Sequence, residues 1–120
     1  MKVGTFTNKA YLFVAMIFIF RYYTLIMGLT RQLRETLEQL IDDTMHQAKM
    51  FRVSAQSFKP LISEEVDFAL GIAVGEIHGG FYNYFTVVSK RPMNDEELVE
   101  MYHVIRDRAS EIRNAILAVE

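Results

Sequence analysis

The chain contains no cysteine, which excludes disulfides, thiolate metal sites and thiol nucleophiles and is compatible with a reducing or an oxidising compartment. Only 2 prolines and 6 glycines interrupt the 120 residues, leaving room for long unbroken elements. There is no excess of positive charge either: 13 Lys and Arg against 15 Asp and Glu give a formal net charge of −2, so no global field would draw the protein to a phosphate backbone. No Gly-x-Ser-x-Gly elbow, phosphate-binding loop or dinucleotide fingerprint occurs. These absences leave no catalytic residue to nominate, no cofactor, and no nucleic-acid partner.

Hydrophobic residues make up 51% and charged residues 23%, which suits a folded chain, and the length suits one domain. Charge is uneven along it. Residues 1–26 carry Lys2, Lys9 and Arg21 and no acidic side chain, whereas most of the acid lies beyond residue 60.

From Ala10 to Leu29 the only charge is Arg21, and the stretch has the length of one membrane-spanning helix. Its Leu, Ile, Phe and Val side chains contribute roughly −3 to −6 kcal/mol on an insertion scale, against about +2.5 to +3.5 for a central Arg. Tyr22 and Tyr23 would ease Arg21 toward an interface. The competing readings are a signal peptide without a small-residue cleavage site, a buried strand, or a start at Met16 or Met27 that would omit the segment. Residues 1–27 are thus set apart as an apolar N-terminal segment, a membrane anchor or a mis-assigned start, and residues 28–120 as the folded domain.

Within that domain three long helices are expected. Residues 30–58 place Leu33, Leu37, Leu40, Thr44, Ala48, Phe51, Ala55 and Phe58 on one stripe, with Thr30 as N-cap and Lys59-Pro60 as the stop. Arg31 and Arg34 oppose the dipole of its first turn, which would matter less if the helix continued out of the apolar segment. Residues 64–89 follow Ser63 as N-cap and carry Val66, Leu70, Ala73, Ile77, Phe81, Tyr84 and Val88 on one stripe. Gly79-Gly80 and the β-prone run after them offer an alternative, a helix ending at His78 and then a strand, but the stripe keeps its spacing through Val88. The last helix has the clearest start: Asn94 as N-cap, Glu97 at N3 for a capping box, and Met93 stapling onto Leu98. Connections near five residues predict an all-α fold, three long antiparallel helices preceded by an apolar N-terminal helix.

The helix over 64–89 has more apolar surface than a three-helix core consumes. Phe68, Gly71, Ile72, Gly75, Gly79 and Tyr82 form a second, glycine-notched face, and glycines at four-residue steps let another backbone approach. This predicts an association surface, for a second copy of the chain or for a partner protein.

Metal chemistry is the runner-up. Asp43-x-x-His46 and Glu100-x-x-His103 have the spacing of bundle metal sites, yet His46 and His103 fall about 160° and 150° from their apolar stripes. Glu100, His103 and Asp107 share the outer face of the last helix and are a weak surface candidate for a divalent ion. His78, beside Glu76, is expected to be a hydrogen-bonded interface or capping residue. The reading is a small helical-bundle protein acting through association, without catalysis; the alternative is a bundle that binds a divalent metal or a small apolar ligand.

Overall fold

The computed structural model describes residues 9–19 and 28–120, and every element among them is helical. Helix α1 occupies residues 9–19, α2 runs Arg31–Met45, α3 Ala48–Gln56, α4 Glu65–Ser89 and α5 Asp95–Leu117. Helices α2 and α5 run the same way, because Arg34 reaches Glu100 while Arg108 reaches Glu38 and Asp42. Helix α4 runs against them: His78 meets Tyr102, and Asp67 lies 3.4 Å from Arg113. Residues 28–120 are therefore an up, down, up bundle whose first arm is divided between α2 and α3.

That division corrects the single helix expected over 30–58. Thr44 Oγ1 donates to Leu40 O at 2.7 Å, and the next amides bond three residues back, His46 N to Asp43 O at 3.2 Å and Gln47 N to Thr44 O at 2.9 Å. Gln47 then leaves the helical well at φ −99°, ψ 15° before α3 restarts. Hydroxyl back-bonding and a tightened last turn bend or end a helix without glycine or proline. The buried side chains nevertheless pass straight across the break: Leu37, Ile41, Thr44, Ala48, Phe51, Ala55.

Helix α2 also does not continue out of the apolar segment. Gly28 sits at φ +84°, where only glycine is unstrained, and a Cβ there would lie 2.7 Å from Glu100 Oε2 and 3.1 Å from Glu97 Cα. Leu29 is buried, its amide donating to Glu100 Oε2 at 2.7 Å. Thr30 is extended at ψ 163° and caps α2, accepting from Leu33 N at 3.2 Å. The two arginines of the first turn are neutralised by carboxylates, Arg31 by Glu35 at 3.0 Å and Arg34 by Glu100.

Helix α4 is continuous through Gly79-Gly80, so residues 81–89 are helix and not strand. Its N-cap is Glu64, with no side-chain cap bond, in place of the expected Ser63. The first turn is held instead from outside. Arg52 Nε donates to Glu65 Oε2 at 2.6 Å and its Nη1 to Ile116 O at 2.9 Å, tying α3 to the start of α4 and the end of α5, while Lys59 Nζ stands 3.2 Å from Glu65 Oε1. The Arg52 hydrogen bond holds the Glu65 carboxyl below its ordinary range; burial opposes this, and Lys59 adds to it.

The buried residues of α4 are Ala69, Ala73, Ile77, Phe81 and Phe85, each four apart. At 100° per residue a step of four advances the buried face by about 40°, so it turns by about 160° along the helix. The partners explain the turn. Phe68, early in α4, meets Phe58 just past α3 with ring centroids 5.0 Å apart, whereas Gly80, late in α4, packs on Leu40 of α2. Helix α4 crosses from one half of the divided arm to the other, and its core face follows.

Helix α5 begins as expected. Asn94 Oδ1 accepts from Glu97 N at 2.8 Å, and Glu97 Oε1 accepts from Asn94 N at 2.9 Å. Glu97 also receives Arg91 in two bonds, at 2.7 and 2.9 Å. Burial pushes the Glu97 carboxyl up, but Arg91 and the Asn94 amide outweigh it and hold it below the usual carboxylate range. Midway, Arg108 binds Glu38, Asp42 and Glu111 at 2.6–2.8 Å, clamping α5 to α2; the Glu111 bond, opposed by burial and reinforced by the other two, raises its pKa.

Candidate association surface

The outward side of α4 is a crest of bare backbone. Gly71, Gly75 and Gly79 are exposed, and a Cβ built on any of them meets no atom within 4 Å. Spaced four residues apart, they rise about 12 Å along the axis.

The other residues expected on this face do not share it but flank it on two sides. Phe68 and Ile72 are half-buried against the core, Phe68 through its contact with Phe58. Tyr82 is half-buried on the α5 side, its ring centroid 6.1 Å from that of His78. His78 in turn bonds through Nδ1 to the Tyr102 hydroxyl, with the rings edge to face at 5.2 Å. His78 is thus part of an aromatic seam between α4 and α5, and the six residues read as one face form a crest with two shoulders.

Apolar surface also appears where a core was expected. Tyr84 and Val88 are 42% and 53% exposed, and Val87 beside them is 77% exposed. Tyr84 forms one wall of an open groove between α2 and α4, lined with Thr36, Gln39, Leu40, Asp43, Gly80 and Phe81. The four-residue spacing of Phe81 and Phe85 is the signal that would have assigned Phe85 to the core and left Tyr84 outside.

The metal candidate is not assembled. Both oxygens of Glu100 are engaged, one by the Leu29 amide and one by Arg34, while His103 and Asp107 are exposed without it. Among the described residues no group of three His, Asp or Glu side chains is placed to hold an ion. His46 and His103 face solvent, as their angular positions require.

The apolar run over 10–29 is described only in part. Residues 20–27, including Arg21, Tyr22 and Tyr23, lie outside the described residues, as does the N-terminal portion 1–8 of the 1–27 segment. Among the described residues no helix is long and apolar enough to cross a membrane. In α1 the side chains of Tyr11, Leu12, Phe13, Val14, Met16, Ile17, Phe18 and Ile19 are all 42–71% exposed.

No protein-family model matches the chain, and neither the curated proteins nor the solved structures contain a match to it.

Proposed function

We propose that this protein acts through association, and that the crest of α4 is where a second copy of the bundle approaches. The observation that supports the reading is the open space over Gly71, Gly75 and Gly79, in a helix whose interior glycines each cost about 1 kcal/mol relative to alanine. Intramolecular packing uses none of that space, so the glycines gain nothing inside one chain. A second helix crossing at the crest would make backbone-to-backbone contact, with Ile72 and Tyr82 as walls on either side. The groove beside Tyr84 supports a weaker second reading, a small apolar ligand held between α2 and α4.

The test is mass by light scattering and sedimentation on the full chain in mild detergent, for the native protein and for Gly75→Leu. Leucine meets no obstacle within one chain and has better helix propensity, so the variant should be folded at least as stably and should lose mass from dimer or higher to monomer. A native protein that is monomeric at micromolar concentration sinks the reading.

A further inference from the structure

Helix α1 and one end of the bundle share a property that self-association at α4 does not use. Placed at 100° per residue, the eight large apolar side chains of α1 leave no gap wider than about 80° around its axis, and all eight are exposed. A helix docking on a protein needs one apolar stripe; one that is apolar all round needs an apolar medium on every side. The eleven described residues reach about 17 Å, the depth of roughly one leaflet, and in the sequence the run continues toward Gly28 with Arg21 as its single charge.

The bundle grips the chain where that run ends. Gly28 is packed under Glu97 and Glu100, and Leu29 is bonded to Glu100, so the point of departure is fixed. The end of α4 lies at the same place, since Gly28, Leu33, Phe85, Ser89 and Arg91 line one cleft. Val87 and Val88, exposed in the last turn of α4, therefore belong to the same end of the bundle as Gly28. Three nearby arginines are paired, Arg31 with Glu35, Arg34 with Glu100 and Arg91 with Glu97, and the exposed Lys90 at the end of α4 is offset by the exposed Asp95 and Glu96 at the start of α5.

We propose that α1 inserts into the hydrocarbon of a lipid bilayer and that the bundle end bearing Gly28, Val87 and Val88 rests against the bilayer surface. Because the arginines at this end are paired and Lys90 is outweighed by Asp95 and Glu96, no net positive charge faces the bilayer, so binding is hydrophobic, independent of anionic lipid and resistant to salt. The proposal goes beyond the association reading and stands on different residues.

The chain has no tryptophan, so single-tryptophan variants of the full protein report one place each. Ile17→Trp and Val88→Trp should shift to shorter emission wavelength with neutral phosphatidylcholine vesicles, and Leu61→Trp, in the turn between α3 and α4, should not. The full chain should float with these vesicles through 1 M salt, and Ile17→Asp should lower its partition constant by about a hundredfold. A chain that stays in the dense fraction overturns the proposal. So does an Ile17→Trp shift that appears without vesicles, which would mean that a second copy or the bundle itself covers α1. Gly75→Leu should leave flotation unchanged, so that failure here and failure of the association reading are told apart.

Discussion

Helices α4 and α5 are antiparallel neighbours of similar length, 25 and 23 residues, and each buries a stripe with steps near four. On α5 most of what lies outside the stripe is satisfied: a capping box at the start, Arg91 on Glu97, Arg108 holding three carboxylates, and a mainly charged outer face on which Val99 and Leu117 are the exposed aliphatic exceptions. On α4 the start has no side-chain cap, the outer face carries Gly71, Gly75 and Gly79 among a few polar side chains, and the last turns expose Tyr84, Val87 and Val88. The difference is in what each surface is left to do. The surface of α5 is largely satisfied within one chain, and the glycine crest of α4 is not.

The interior should not distinguish the two helices. Phe81 of α4 and Met101 of α5 are both 0% exposed, so Phe81→Ala should cost about 3–5 kcal/mol and Met101→Ala about 2–5 kcal/mol in urea unfolding. A loss under about 1 kcal/mol for Phe81→Ala would mean that the second half of α4 is not core, and the comparison would fail at its base.

The starts should distinguish them. Glu97→Ala removes half of the capping box and the partner of Arg91, and should cost about 2 kcal/mol at neutral pH. Glu64→Ala at the N-cap of α4 removes no cap bond and should stay within about 0.5 kcal/mol. The pH dependence has a definite sign. The Glu97 carboxyl is held below its unfolded range, so its stabilisation is present above that range and is lost as pH falls through the depressed folded value. The difference between native protein and Glu97→Ala should therefore be widest near neutral pH and shrink in acid. A constant difference would place the whole effect in packing.

The start of α5 was legible because Asn94 and Glu97 are local: three residues apart, they need nothing from the rest of the chain to bond each other's backbone. The all-helical class was legible for a similar reason, since apolar periodicity and scarce proline act along each segment. The break at His46 and Gln47 was not, because Thr44, Ala48, Phe51 and Ala55 keep one spacing across it and no glycine or proline announces it. The core face of α4 was half legible. Ala73, Ile77 and Phe81 were placed inside, and Val66 and Leu70 do pack half-buried against the core, but Ala69 and Phe85 were missed while Tyr84 and Val88 were put in their place. A constant helical stripe assumes a constant partner, and α4 changes partner from α3 to α2. Of the surface residues, the glycines could be placed outward from spacing alone. That Phe68 would turn to Phe58, and Glu100 to the Leu29 amide, depends on contacts 10 and 71 residues distant in sequence.

The smallest expected effect is the one that isolates the crest. His103 stands on the outer side of α5 and His46 at the end of α2, both exposed and with neither imidazole hydrogen-bonded among the described residues. His103→Ala and His46→Ala should each change stability by no more than about 0.5 kcal/mol, the usual range for surface positions. They should also leave the mass of the protein unchanged, whereas Gly75→Leu, at an equally exposed site on α4, should not. Loss of mass on His103→Ala would show that the outer face of α5 is also an interface and that its polarity is not the mark of a finished surface. Loss of a stoichiometrically bound divalent metal on either histidine substitution would restore the metal reading, with Glu100 then drawn away from the Leu29 amide and Arg34 to reach the ion.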